Sequence, residues 1–151
     1  MSYILGVDYG ERRMGLAVSD PEAIVAIPLS VVRVYSDNQR ISVIRSAVGE
    51  KNVVRVIVGL PLNMNGSIGP AAEKVRRFVG RLSAALAVPV ETWDERLSSS
   101  LAERAMLDAR INSRKRRKVV DKMAAQVILQ TYLDARSGVE YEFPEEEITQ
   151  S

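Results

Sequence analysis

The sequence predicts an α/β domain built on a mixed five-stranded sheet flanked by helices. Two short apolar runs, residues 3–8 and 14–19, flank a polar turn that contains glycine, which is typical of a β-hairpin. A third β-rich run follows at 24–34, so the first three strands should be antiparallel. Later apolar runs alternate with helical patterns and should therefore join the sheet in parallel through right-handed crossovers.

The third run and the first helix are well delimited. Pro28 interrupts the run, which favours an edge strand or a bulge because proline cannot donate to the ladder. Ser36 and Gln39 have the spacing of a capping box, and Ile41, Ile44 and Val48 follow at helical spacing. We expect this helix to end at Gly49.

The middle of the chain predicts two strands around a helix. Residues 53–58 are almost continuously apolar, which is typical of a central strand covered on both faces. The loop 59–70 is rich in Gly, Asn and Pro, and Pro70 suits the first turn of a helix. Residues 88–93 form the fifth strand. The intervening helix has an apolar stripe made of Ala71, Val75, Phe78, Val79, Leu82 and Leu86.

The C-terminal part predicts two more helices. Ser100 and Glu103 form a second capping box, which opens a helix to about residue 109. A block of cations at 114–118 is interpreted as a connection, and a long helix runs from about 119 to 136 before Gly138. Residues 1–138 are therefore expected to form one domain, and 139–151 an acidic, flexible tail.

The composition excludes several kinds of chemistry. The 151 residues include no His and no Cys. This excludes a disulfide scaffold, a thiolate zinc site, a Cys nucleophile, His-ligated metals and the commonest general base. Catalysis must then use carboxylates, Lys, Ser, Tyr or a hard metal ion. Oxygen ligands indicate Mg²⁺ or Mn²⁺.

The charge distribution indicates a polyanionic partner. The formal net charge is only +2, but acidic residues are concentrated in the tail and the rest of the chain is basic. No apolar run is long enough to span a membrane, and no basic segment followed by an apolar one opens the chain. We therefore expect a cytoplasmic protein that binds nucleic acid and no membrane.

Asp8 is the first candidate site residue. It ends the first strand, and a carboxylate there is held rigidly at the carboxyl edge of the sheet, where α/β folds place their sites. By itself this position indicates only that phosphate or metal chemistry is possible.

Four segments of the chain form a recognisable set of motifs. They are Gly6-Val7-Asp8-Tyr9-Gly10 with Arg13-Met14-Gly15, Val58 to Asn63 with Gly66 to Pro70, Asp94-Glu95-Arg96-Leu97, and Asp121 to Ala125 with Ile128-Leu129-Gln130. Together they resemble the YqgF/RuvX family, bacterial proteins of the RNase H-like fold described as Holliday junction resolvases and pre-16S rRNA nucleases. The segments run from the first strand to the last helix, so the resemblance covers nearly the whole chain.

The resemblance implies a carboxylate cluster that binds metal. Asp8 and Glu95 at strand ends and Asp121 in the first turn of the last helix could hold two divalent cations, Mg²⁺ or Mn²⁺, for phosphodiester hydrolysis. The same three residues are then the catalytic ones. Asp94 remains the alternative to Glu95, because spacing alone does not separate them. Asp121 could instead simply stabilise the helix dipole.

Three groups of residues are candidate nucleic-acid contacts. The loop before the second helix could bind the backbone or be purely structural. Arg13 and Arg96 could hold phosphate oxygens or balance the acids. The basic block could bind a polyanion or be a solvated charge run. The loop residues are Asn63, Asn65, Gly66 and Ser67, and the block residues are Arg114, Lys115, Arg116, Arg117 and Lys118.

Three functions from different classes are compatible with these residues. The leading one is a metal-dependent endonuclease that processes the 5′ end of pre-16S rRNA, with a Holliday junction resolvase as the alternative substrate assignment. The hairpin also resembles that of actin-like and sugar-kinase ATPases, but those proteins need two such domains. The third is a non-catalytic RNA-binding regulator. A monomer and a homodimer are both compatible with the sequence.

Overall fold

The computed structural model describes residues 1–97 and 113–137, with side chains of the last helix described from Met123 onwards. Among these residues, no helix combines the length and the hydropathy that crossing a membrane requires. The strands are β1 (Tyr3–Tyr9), β2 (Arg13–Ser19), β3 (Ala26–Arg33), β4 (Val53–Leu60) and β5 (Val90–Asp94). The helices are α1 (Asp37–Glu50), α2 (Pro70–Ala85) and α3 (Ser113–Ser137).

The five strands form one sheet in the order β3-β2-β1-β4-β5. β2 is antiparallel to both of its neighbours, whereas β4 is parallel to both β1 and β5. This confirms the predicted mixed sheet. Because β1, β4 and β5 point the same way, their carboxyl ends meet at one edge of the sheet.

β3 is the edge strand that Pro28 predicts. Pro28 lies opposite Ala17, and the register of the β2–β3 pair shifts between Leu16 and Ala17. Both interpretations of the proline, edge strand and bulge, are therefore confirmed. β5 begins at Val90, two residues later than the apolar pattern indicates.

The capping box of α1 is also confirmed. The Gln39 backbone N–H donates to Ser36 Oγ at 3.2 Å, and Gln39 Oε1 accepts from the Tyr35 N–H at 2.6 Å. The predicted end at Gly49 is wrong, because the helix continues to Glu50. The chain turns instead at Asn52, whose φ of 52° is a left-handed conformation that asparagine tolerates.

The sheet separates two apolar cores. On one face α1 and α2 bury Ile44, Phe78 and Leu82 against β1, β2 and β4. Within α2, Ala72 is buried where the predicted stripe used Ala71, and Leu86 lies just past the end of the helix.

α3 covers the other face of the sheet and lies close to it. A Cβ at Gly6 would be 2.7 Å from the Leu129 Cβ and 3.2 Å from the Ala125 carbonyl oxygen. Glycine at this position of β1 therefore lets the helix backbone approach the strand.

α3 begins earlier than the sequence indicates. The basic block 114–118 belongs to the helix that starts at Ser113, so its interpretation as a connection is wrong. Arg and Lys are good helix formers, so this run of cations is compatible with a helix although its charge is unfavourable to the helix dipole. The predicted helix 100–109, Gly138 and the tail 139–151 lie outside the described residues.

Candidate active site

The candidate site lies at the carboxyl edge of β1, β4 and β5, on the face that α3 covers. Asp8 is two residues beyond Gly6 on β1, and alternate residues of a strand share a face, so Asp8 faces the same side as Gly6. Glu95 follows directly after β5. Its Cγ and Oε2 lie 2.9 and 3.0 Å from where a Cβ on Gly59 would be. The Glu95 side chain thus lies over the β4 backbone, between β5 and β1.

Two hydrogen bonds, one of Glu95 itself and one of the nearby Trp93, fix the position of Glu95. Its backbone N–H donates to the Leu60 carbonyl at 3.0 Å, which fixes the turn after β5. Two residues earlier, Trp93 Nε1 donates to Thr131 Oγ1 on α3 at 2.8 Å. The absence of a side chain at Gly59 leaves the space that the Glu95 carboxylate occupies.

The environment of Glu95 disfavours its charge. Burial, and then the nearby charges of Asp8 and Asp94, together raise the pKa of Glu95 to about 7. The ordinary value is 4.5, so Glu95 changes protonation near neutral pH. A half-buried carboxylate facing a second carboxylate is an arrangement that a bound cation would stabilise.

Asp94 is in the opposite situation. Arg96 Nη2 donates to Asp94 Oδ2 at 2.7 Å, and Arg96 Nε donates to both carboxylate oxygens at 3.1 Å. Hydrogen bonds from Arg96 lower the pKa of Asp94. The structure therefore brings Glu95 towards Asp8, whereas Asp94 forms an ion pair with Arg96.

Arg96 connects this pair to the loop before α2. Its Nη1 donates to the Met64 carbonyl at 3.2 Å, next to Gly66, whose φ is +86°. Within the loop, Ser67 Oγ donates to Asn65 Oδ1 at 2.6 Å and accepts from Asn63 Nδ2 at 2.9 Å. The loop is thus ordered by its own polar side chains, which are exposed on its surface.

Arg13 and Asp121 lie on two other elements. Arg13 is exposed at the start of β2, opposite Arg33 on β3, which puts two cations side by side. Residue 121 is eight residues into α3, so its predicted place in the first turn is wrong. Stabilisation of the helix start by Asp121 is excluded for the same reason, because dipole effects fall off within one turn. The side chains of Asp121 and of the basic block lie outside the described part.

Sequence reasoning missed two residues that shape the site. Gly59 looked like one more loop glycine, yet it provides the space for Glu95. Arg40 is only 4% exposed and contacts the turn after Asp8. A signal existed for Arg40, since it lies four residues before Ile44 on the buried row of α1.

The residues present fit a hard divalent cation. Asp8 and Glu95 offer oxygen ligands, which Mg²⁺ and Mn²⁺ prefer, and a cation between them would reverse the repulsion that raises the pKa of Glu95. Within residues 1–97 and 123–137, no group of three or more acidic, His or Cys side chains forms a complete metal site.

The fold defines the class of protein. The chain is similar to Thermus thermophilus RuvC in complex with a Holliday junction substrate, with a TM-score of 0.60, 17% identity and coverage of 95% of this chain and 100% of that one. It is also similar to the fowlpox virus Holliday junction resolvase, with a TM-score of 0.51, 14% identity and coverage of 88% and 99%. The protein thus has the RNase H-like fold of these resolvases.

The family follows from the sequence comparisons. Residues 2–135 match the family described as "RuvX: Holliday junction resolvase", and the chain belongs to this family. It is 48% identical to a Symbiobacterium thermophilum protein named "Putative pre-16S rRNA nuclease", over 88% of this chain and 92% of that protein. A Chloroflexus aggregans protein of the same name is 47% identical over 88% and 94%. The resemblance on the four segments is confirmed.

Proposed function

We propose that this chain is a divalent-metal-dependent endonuclease that processes the 5′ end of pre-16S rRNA in the cytoplasm during ribosome biogenesis. The observation that carries the proposal is the Asp8–Glu95 pair at the carboxyl edge of the sheet, where burial and mutual repulsion raise the pKa of Glu95 to about 7. For stability alone, an amide or an apolar residue would serve better at position 95. A site that binds a cation explains why a carboxylate is there.

The metal is Mg²⁺, or Mn²⁺ in its place, and Asp8, Glu95 and Asp121 are its ligands in this proposal. A cation held by these residues would supply activation of a water molecule and stabilisation of the charge on the phosphate. Asp8 offers its carboxylate from the end of a central strand, and Glu95 offers one that loses its proton on binding. Residue 121 lies one helical turn before Ala125, whose carbonyl lies against Gly6 of β1, and this proximity in the chain supports Asp121 as the third ligand.

Cationic and loop groups around the acids would bind the nucleic-acid backbone. Arg13 lies opposite Arg33 in the β2–β3 pair and both are exposed, so both would be available to the nucleic-acid backbone. The ordered loop 63–67 and Arg96, which Asp94 orients, lie at the opposite side of the acidic pair. The basic block adds five cations to the start of α3. Assignment of pre-16S rRNA as the substrate rests on the names of relatives that match over most of their length.

A Holliday junction is the second candidate substrate. The family description and the similarity to a RuvC structure with bound junction support it. A four-way junction has two-fold symmetry, so this function requires a homodimer that presents two sites, whereas rRNA processing is compatible with a monomer.

The deciding experiment is cleavage of two labelled substrates, a 16S precursor 5′ end and a four-way DNA junction, in Mg²⁺ and then in Mn²⁺. Cleavage of one substrate should be lost in Asp8→Asn, Glu95→Gln and Asp121→Asn and in chelator. Asp94→Asn is the matched control for Glu95, and we expect it to keep its metal affinity while binding substrate more weakly. If wild type and variants bind both substrates and cleave neither, the chain is a non-catalytic RNA-binding regulator and the nuclease proposal is wrong.

A further inference from the structure

Arg40 is a buried charge beneath the β1–β2 turn. It lies in the first turn of α1, on the same helix row as Ile44, and is 4% exposed. Removing a guanidinium from water is costly unless its donors are satisfied by well-placed acceptors. The hydrogen-bond acceptors of Arg40 show which part of the chain this residue stabilises.

The Arg40 side chain contacts the three residues that follow Asp8. Its Nη2 donates to the carbonyl oxygens of Gly10 and Glu11, both at 2.7 Å. Its guanidinium carbon lies 4.2 Å from the centroid of the Tyr9 ring. Arg40 Nη1 and the Tyr9 hydroxyl both donate to Asp37 Oδ1, at 2.8 and 2.9 Å, so the side chains of Tyr9, Asp37 and Arg40 form a closed network.

The end of β1 depends on this turn. The register of β1 with β4 runs to Val7, whereas its register with β2 continues through Asp8 to Tyr9. At Asp8, therefore, the strand pairing that continues is with β2, and the turn from Gly10 closes it. The turn is tight, because a Cβ on Gly10 would collide with the Arg13 carbonyl.

One donor of Arg40 remains unsatisfied. Its Nε is buried and has no hydrogen-bond partner among the described residues. An apolar side chain of similar volume would fill this space without that cost, so stability alone does not account for an arginine here. What an apolar residue could not do is bind the two turn carbonyls in one fixed geometry.

We propose that Arg40 is a positioning residue for the active site: by fixing the Gly10–Glu11 turn it holds the Asp8 carboxylate where it binds the divalent cation. The inference rests on the proposed function, in which Asp8 is a metal ligand. Lysine keeps the charge but lacks the forked pair of donors, so Arg40→Lys separates positioning from simple charge balance. Arg45→Lys is the matched control, since Arg45 is exposed on the same helix and donates to the Ala85 carbonyl at 3.2 Å.

The test measures Mn²⁺ binding and amide hydrogen exchange without nucleic acid. In Arg40→Lys, exchange in residues 9–13 should become faster, and Mn²⁺ affinity should fall by about 10–100-fold, as is typical when a group that orients a metal ligand is removed. Arg45→Lys should match wild type in both. In wild type, saturating Mn²⁺ should slow exchange in the same segment, because coupling between two sites is reciprocal.

Each outcome of these measurements either supports or overturns the positioning role of Arg40. An Arg40→Lys protein whose turn exchanges faster but whose Mn²⁺ affinity is unchanged would show that Arg40 is only structural. If the variant does not fold, hydrogen exchange in the wild type is the remaining test. The inference is then overturned if saturating Mn²⁺ fails to slow exchange in residues 9–13. A wild type that shows the coupling but cleaves neither substrate overturns the nuclease proposal and supports the positioning role. A wild type that cleaves, with Mn²⁺ affinity intact in Arg40→Lys, overturns the positioning role alone.

Discussion

Replacing Glu95 with glutamine should stabilise the metal-free protein and, on the proposed function, abolish its binding of divalent metal. In the fold the pKa of Glu95 is raised from 4.5 to about 7, chiefly by burial and then by Asp8. The native state therefore binds more protons than the unfolded chain between these values, and stability falls as the pH rises through this window. At roughly 1.4 kcal/mol per pKa unit, the cost of ionising Glu95 is about 3 kcal/mol above neutral pH. Glutamine avoids that cost.

The assay is urea unfolding in chelator at about pH 5 and about pH 8, between which the linkage should appear. Glu95→Gln should exceed wild type by about 3 kcal/mol at the higher pH, and the two proteins should approach each other at the lower one. For a chain of this size the corresponding difference in Tm is roughly 6–12 °C. Glu22→Gln is the control, since Glu22 is exposed on the β2–β3 connection.

Adding Mg²⁺ should reverse the order. A ligand that binds only the native state stabilises it by about 4.1 kcal/mol at 1,000 times its Kd, which exceeds the advantage of the glutamine variant, and only wild type should gain this. A glutamine variant no more stable than wild type at the higher pH in chelator would refute the reasoning. It would mean that water or a neighbouring cation already neutralises the Glu95 charge.

Three further variants test other parts of the site. Asp8→Asn should lower the pKa of Glu95 only in part, because burial is the larger cause, so its stabilisation in chelator above neutral pH should be smaller than that of Glu95→Gln. Gly59→Ala places a Cβ 2.6 Å from Ile128 Cδ1 and 2.9 Å from Glu95 Cγ. It should lower the free energy of unfolding by about 1–3 kcal/mol and weaken Mn²⁺ binding, which titration will measure. The control Gly80→Ala, which has open space around the added Cβ, should do neither. Replacing Arg114, Arg116 and Arg117 with Ala should weaken nucleic-acid binding without unfolding the domain, and the log–log salt slope on duplex DNA should fall by about 0.9 per lost phosphate contact; an unchanged slope would contradict this.

The fold could be predicted because short stretches of sequence determine most of its strands, turns and helix ends. The hairpin, Pro28 and the Ser36–Gln39 cap each produced the structure that their chemistry favours, and alternation of strands with helices gave the mixed sheet. The start of α3 could not be read the same way. A run of cations looks like a solvated connection, yet Arg and Lys are good helix formers, and the helix begins at Ser113.

The candidate site was only partly predictable, because contacts between distant parts of the chain determine which carboxylate faces Asp8. Asp94 and Glu95 are adjacent at a strand end, and no spacing rule says which faces Asp8. The answer depends on Gly59, on another strand, and on Arg96, which engages Asp94. Arg40 escaped notice because an arginine is ordinarily assumed to face solvent, and its acceptors are backbone carbonyls about thirty residues away.

The close approach of α3 to Gly6 also affects the order in which the molecule is made. Contacts between the first strands and this helix join distant parts of the chain, as in the Ala26–Gln130 hydrogen bond across 104 residues. Non-local pairing of this kind slows folding, and the ribosome delivers the chain from its N-terminus at about 5–20 residues per second. The sheet's α3 face therefore stays uncovered, and the acids of β1 and β5 lack the helix that carries Asp121, until translation has passed residue 130.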